Sequence, residues 1–287
     1  MPKELEISVV RVRGASADPA RDWLAVERPL EIRARSGGTV RVISTTMRTP
    51  GEDRELAAGF LFAERVITDG RQIRALETVD EDTVVIELSP EADAALETAR
   101  RPFVTSGACG VCGRTDLKAL LAVPGGARSD GAPRIEISTV HALPAALRAA
   151  QATFARTGGL HGAGLFTPAG ATLAVAEDVG RHNAVDKLMG SFIWRRRLPD
   201  PDSVLVVSGR ASFELVQKAA VAGIAVMVAV GAPSSLAVEI ARGAGMTLLG
   251  FVRNGGFNIY CGAERVAMAR GPALKATSEG SSDVGYA

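Results

Sequence analysis

The sequence predicts an α/β protein: a small N-terminal α+β domain over residues 1–104, then a layered α/β domain over residues 135–270. Three observations lead there. Apolar and polar residues alternate through most of the first hundred positions, a glycine- and proline-rich stretch then breaks the pattern, and helix and strand patterns alternate after it. With 287 residues, 47% of them hydrophobic, the chain can build a sizeable core.

In the first part, "LEISVVRVRG", "RPLEIRARSGGTVRVISTTM" and "DTVVIELS" alternate as half-buried strands do. Between them, "GEDRELAAGFLFAERVI" places Leu56, Phe60, Leu61 and Ile67 near helical spacing. "TSGACGVCGRTDLKALLAVPGGARSDGAP" lies within residues 105–134, expected to be an exposed, flexible connection carrying a C-x-x-C. Beyond it "TVHALPAALRAAQATFART" reads as one helix, and "GAGLFTPAGATLAVAED" as two strands around a Pro-Ala-Gly turn. "RHNAVDKLMGSFIWRRR" is helical, "SVLVVSG" a buried strand, and "SFELVQKAAVAG" a helix stopped by Gly223. "IAVMVAVG" and "PSSLAVEIARGAG" repeat the strand-then-helix unit, and "TLLGFVRNGGFNIYC" supplies a last strand and turn. Residues 271–287 hold too few apolar side chains to pack and are expected to be disordered.

Lys+Arg 33 against Asp+Glu 32 leaves a net charge of +1, so no global field draws the chain to nucleic acid or to an anionic membrane. An anionic ligand would need a local site. The first twenty residues lack a signal-peptide apolar core and no stretch reaches membrane-span length, which leads us to expect a cytoplasmic protein. In a reducing compartment a close pair of cysteines is more often catalytic, redox-active or metal-binding than a structural disulfide.

Five stretches carry candidate chemistry. Cys109 and Cys112 sit among glycines at 107, 110 and 113, which give access and disfavour a helix, and Arg101 and Arg114 favour the thiolate. A reactive loop is the first reading and a dithiol redox switch the second. A zinc site would draw on Cys261, His141, His161 and His182, with no second close cysteine pair available. His161, in "TGGLHGAG", invites comparison with the H-x-E of zinc deaminases, but Ala163 stands where the glutamate should be and no P-C-x-x-C follows.

In "EDVGRHNAVDKLMG", Asp178, Arg181 and His182 gather at a helix start that could hold an anion; alternatively Asp178 only caps the helix while Asp186 and Lys187 are solvated. Ser208, Arg210 and Ser212 follow a buried strand, where ligands of open sheets gather, though an ordinary loop with Ser212 as N-cap reads equally. In "GFVRNGGFNIYC", the Arg253-Asn254-Gly255-Gly256 turn offers amides and a guanidinium to a phosphate or a guanine edge, or is a plain hairpin turn.

"RTPGEDRELAAGFLFAERVI", "SGACGVCGR", "TGGLHGAGLF", "EDVGRHNAVDKLMG", "SGRASFELVQKAA" and "TLLGFVRNGGFNIYCGAERV" occur in the order of the FdhD/NarQ family, the formate dehydrogenase accessory sulfurtransferases, which the chain resembles from about residue 5 to about residue 268. The resemblance implies a cytidine-deaminase-like second domain without zinc chemistry. It implies a cytoplasmic sulfur carrier, a sulfurtransferase that accepts sulfur from a cysteine desulfurase as a persulfide. That sulfur goes to the molybdenum of bis(molybdopterin guanine dinucleotide) before the cofactor enters formate dehydrogenase. Cys109 is the implied persulfide carrier and Cys112 the assisting thiol. The implied cofactor-binding stretch is Phe251, Val252, Arg253, Asn254, Gly255 and Gly256, in an expected homodimer with no bound zinc. Cys261 is expected to be a small packed residue. Two rivals stand beside this reading: a non-catalytic cofactor-holding chaperone with a redox latch, and a zinc deaminase-like hydrolase.

Overall fold

The computed structural model describes residues 1–92, 95–96, 103–105, 132–253 and 255–268. Strands β1 (Glu4–Arg13) and β2 (Ser16–Ala25) form an antiparallel hairpin. β2 is hidden in the sequence by Asp18-Pro19, but a two-stranded ribbon has only edge strands, and there a residue without an N–H is tolerated. The hairpin is pinned at its base, where Arg156 pairs with Glu4 and lies 4.0 Å over the Trp23 ring.

Strands β3 (Arg28–Ser36), β4 (Thr39–Arg48), β5 (Ile73–Asp80), β6 (Thr83–Leu88) and β7 (Phe103–Thr105) make a five-stranded sheet in the order β5-β6-β3-β4-β7. Leu30, Ile32 and Ala34 alternate onto its buried face, and helix α1 (Asp53–Ala63) shares their core. The helix stops short of the expected Ile67 because Arg65 adopts a left-handed φ of 59° and Val66 N turns back to Leu61 O. Ile67 is still fully buried, so the sequence spacing marks the core correctly but not the helix end.

The second part is a six-stranded sheet in the order β10-β9-β11-β12-β13-β14. Its strands are β9 (His161–Phe166), β10 (Thr172–Asp178), β11 (Val204–Val207), β12 (Val226–Ala229), β13 (Thr247–Arg253) and β14 (Gly256–Cys261). β11, β12 and β13 run parallel while β9, β10 and β14 join by antiparallel pairing. A short parallel pair, β8 (Ile135–Glu136) with β15 (Val266–Ala267), closes one end.

Helix α2 (Ile137–Ala150) packs Val140, Leu143 and Leu147 against one sheet face. It is separated from α3 (Ala152–Thr157) at Gln151, whose φ and ψ of −88° and 81° divide the single helix expected there. The other face carries α4 (Arg181–Ile193), α5 (Phe213–Val221) and α6 (Ser235–Gly243).

α1 and α4 cross with their backbones almost touching. A Cβ on Gly59 would fall inside the Asp186 carbonyl, and one on Gly190 inside the Glu55 carbonyl. One hydrophobic cluster accordingly runs from Leu30 and Ile86 of the five-stranded sheet through α1 and α4 to Leu205 and Met227 of the six-stranded one. This contact fixes where β4 and β7 sit against the second sheet.

Candidate functional site at one edge of the second sheet

β11 and β12 end, and β9 begins, at one edge of the six-stranded sheet, and β10 ends there at Asp178, which pairs with His161. Ser208 N donates to Gly162 O, Gly231 N to Gly209 O and Phe251 N to Gly231 O, so backbone hydrogen bonds knit the rim from His161 to Phe251. Four of the five candidate stretches lie along it; the cysteine pair does not belong to the described residues.

At one end Asp178, fully buried, organises the turn into α4. Its Oδ1 accepts from Gly180 N (2.8 Å) and Asn183 Nδ2 (3.0 Å), and its Oδ2 from Thr49 N (3.0 Å) and Lys187 Nζ (2.8 Å). Lys187, 1% exposed, also donates to Thr49 O at 2.7 Å. The solvated alternative for Asp186 and Lys187 is therefore overturned. Helix α4 is enclosed between the sheet and α1, so each charge requires a buried partner, and Asp186 finds Lys218 Nζ at 2.7 Å. Burial pushes the Asp186 carboxyl above the ordinary carboxylate range, against the pull of Lys218.

Beside this hub, His182 Nε2 lies 2.8 Å from Glu214 Oε2 and 3.2 Å from Ser212 Oγ. Both partners meet the same ring nitrogen, so the trio clamps the ends of α4 and α5 together and lacks the geometry of a nucleophilic triad. The His182 contact offsets the effect of burial and leaves the Glu214 carboxyl below its usual range. Ser212 precedes α5 without a side-chain cap bond, so its hydroxyl is committed to this trio.

His161 opens β9 half-buried, and burial, followed by the charges of Arg181 and His182, lowers its proton affinity. At the far flank Phe251 is 42% exposed on a left-handed backbone with φ of 55°, while Val252 is fully buried and offers a ligand only its backbone. Arg253 pairs with Gly256 across the hairpin, and Gly255 takes the positive φ of 96° that the turn requires. Asn254, Cys109 and Cys112 lie outside the described residues. Cys261 is half-buried, its thiol donates to Met246 O at 3.3 Å, and burial raises its pKa, as suits a packed residue.

A protein-family model described as the FdhD/NarQ family matches residues 25–267. The chain belongs to the FdhD/NarQ family. It is 44% identical over 270 residues to the sulfur carrier protein FdhD of Streptomyces coelicolor, covering 91% of this chain and 94% of that one. The figures for the protein of that name from Mycobacterium tuberculosis are 46% over 271 residues, with 89% and 97% covered. For Sulfolobus acidocaldarius they are 40% over 261 residues, with 91% and 98% covered. Among solved structures, a protein assigned as a formate dehydrogenase accessory protein from Desulfotalea psychrophila superposes with a TM-score of 0.73 at 24% identity. It covers 93% of this chain and 100% of its own, and at that identity the likeness speaks for the fold.

In this FdhD/NarQ chain the β1–β2 hairpin lies almost wholly outside the matched span. Sequence reasoning missed Thr46, Thr49 and Gln151, all polar residues at the rim. Thr46 Oγ1 donates to Asn183 Oδ1 at 3.2 Å, and Thr46 pairs with Thr105, the last described residue before the cysteines. No signal in the sequence links position 46 to position 183, because only the α1–α4 packing brings them together.

Proposed function

We propose that the chain is a cytoplasmic sulfur carrier serving formate dehydrogenase, with Cys109 as the persulfide site. The observation that carries this is the likeness to sulfur carrier proteins over nine-tenths of the chain. The fold supports it. β7 runs parallel to β4, which leads to Thr49 and the Asp178 hub, and Cys109 follows Thr105 by four residues, a span of at most about 14 Å. Phe251, Val252 and Arg253, of the proposed cofactor-binding stretch, end β13, four strand spacings or about 19 Å from β10. An exposed aromatic ring held on a left-handed backbone is the kind of strained feature retained for contact with a ligand.

In the proposed cycle the Cys109 thiolate takes the terminal sulfur of a persulfide on a cysteine desulfurase, whose own cysteine leaves as a thiolate. The substrate receiving that sulfur is the molybdenum of bis(molybdopterin guanine dinucleotide). The Cys112 thiolate attacks Sγ of Cys109, the S–S bond of the persulfide breaks, and the terminal sulfur departs as sulfide with the electron pair. A Cys109–Cys112 disulfide remains, and a cellular dithiol reduces it. A homodimer is part of the proposal. Intact-mass measurement after incubation with a desulfurase and cysteine tests it: one added sulfur, removed by reductant and absent in Cys109→Ala, is expected. No gain in mass leaves only the holding role. A Cys112→Ser protein that activates its client at full rate refutes the release step.

A further inference from the structure

Beyond Ile193 the chain leaves α4 through Arg195, Arg196, Arg197 and Leu198, all four exposed. Arg196 N donates to Ile193 O at 2.8 Å and Arg197 N to Phe192 O at 3.1 Å, the bond pair that closes a helix through one left-handed residue. Arg196 is that residue, with a φ of 57°. Glycine fits such a position freely, so an arginine there is retained against backbone strain. The backbone already satisfies the Phe192 and Ile193 carbonyls, and the guanidiniums are not needed to cap them. Gly70 packs flush against this end: a Cβ on it would stand 2.0 Å from Ile193 O and 3.1 Å from Arg196 Cα. The turn from Asp69 to Arg71 thereby backs the arginines and fixes them as a platform.

Its charges are unmatched. Arg21, Arg28, Arg33 and Arg35 on the strands each meet an acidic side chain, but among the described residues no carboxylate pairs with Arg195, Arg196 or Arg197. The adjoining acids are committed, Asp69 to Arg71 at 2.6 Å and Asp200 to the N–H of Asp202 at 3.0 Å. Leu198, 56% exposed, adds an apolar contact beside the charges, and the half-buried Trp194 precedes them. Arginine and tryptophan dominate protein docking surfaces, and guanidinium forks take carboxylates bidentately. A phosphate backbone has no use for the exposed leucine, and a net charge of +1 gives the whole chain no pull on nucleic acid. The platform stands at the opposite end of α4 from Arg181 and the rim, 13 residues or about 20 Å away. A client enzyme that takes the cofactor must face the rim. A sulfur donor has to come and go without covering it, and such a repeated encounter gains from electrostatic steering.

We infer that Arg195, Arg196, Arg197 and Leu198 form the docking surface for an acidic face of the sulfur-donating enzyme. The inference rests on the proposed carrier role. Surface plasmon resonance of the full chain against a cysteine desulfurase tests it. Reversing both outer charges, Arg195→Glu with Arg197→Glu, is expected to weaken binding about tenfold, chiefly through a slower on-rate whose salt dependence flattens. Arg196→Gly removes a charge while relaxing the backbone, so about threefold weaker binding at an unreduced melting temperature is expected, which separates docking from misfolding. Arg13→Glu, on the exposed hairpin, should leave affinity within about twofold. No binding by the parent, unchanged affinity in the double variant, or an equal loss in Arg13→Glu overturns the assignment. So does a loss confined to the binding of formate dehydrogenase, or a short DNA duplex held by the same arginines more tightly than the desulfurase. A parent protein that docks through these arginines yet gains no sulfur would refute the carrier role and leave the surface standing. Full loading of a double variant whose affinity is unchanged would do the reverse.

Discussion

Replacing Asp178 by asparagine isolates the hub that ties the two parts of the chain. The change keeps the shape and can keep the Oδ1 contacts with Gly180 N and Asn183 Nδ2, but it puts an NH2 group against Thr49 N–H and the Lys187 ammonium, both donors. Lys187 is 1% exposed, and its next carboxylate is Glu52, 3.8 Å away with a 42% exposed side chain, which is too solvated to replace Asp178. Breaking a buried pair from one side costs about 3–5 kcal/mol, because a charge is left without its counterion. Lys187→Met should cost less, about 1–3 kcal/mol, since Asp178 keeps three neutral donors. The double variant, which removes both charges, should be less destabilised than the sum of the singles by at least about 2 kcal/mol. Urea unfolding of all four proteins, monitored by circular dichroism, reads these values directly. Additive effects within about 0.5 kcal/mol, or an Asp178→Asn loss below about 1 kcal/mol, would refute the reasoning.

The other expectations concern the same rim. Gly190→Ala should destabilise by at least about 2 kcal/mol, because the new methyl meets the Glu55 carbonyl backbone, and an unchanged melting temperature would show that the helices part without strain. His161 has a lowered pKa, so the unfolded chain takes up a proton that the folded one resists. Stability should therefore fall as pH drops through the ordinary value of 6.5, by at most about 1.4 kcal/mol per unit, and His161→Gln should flatten this slope in a pH series of unfolding curves. Phe251→Gly should leave stability unchanged or raise it by up to about 1 kcal/mol, since the backbone is left-handed there, and under the proposed function it should weaken affinity for the proposed dinucleotide cofactor; equal affinity would remove the proposed ligand contact.

Much of the second sheet was legible because its strands are buried on both faces and bounded by glycines. "SVLVVSG" and "IAVMVAVG" could hardly be anything else. β2 and β5 were not read. Pro19 interrupts the first, and both lie on the surface, where alternation marks a buried face only weakly. At the site, the motifs singled out Asp178 and His161, Phe251 came only from the family resemblance, and the alternative that left Lys187 solvated fails. A lysine on a helix is solvated by default, and nothing local announces that α1 will cover it. The covering depends on two glycines 131 positions apart, at 59 and 190, neither of which is informative alone.

Under the proposed function, that pair of glycines also accounts for how a segment proposed to carry sulfur could follow a strand of one sheet and serve the edge of another. β7 belongs to the five-stranded sheet, so the backbone leading to Cys109 is oriented by β4. β4 in turn is held against the second sheet by Asn183, which accepts from Thr46 and donates to Met47 O at 2.7 Å, and by Asp178 on Thr49 N. The α1–α4 crossing sets the distance over which those polar bonds must reach, and side chains as short as Asn and Asp can span it only because the backbones approach so closely. Widening the crossing by one methyl would therefore stretch the hydrogen bonds to Asp178 and Asn183 together. On this reasoning Gly190→Ala should impair the proposed sulfur delivery to the cofactor more than the proposed persulfide loading of Cys109. Loading requires only the cysteine and a donor enzyme, whereas delivery also depends on where β7 is held against the rim.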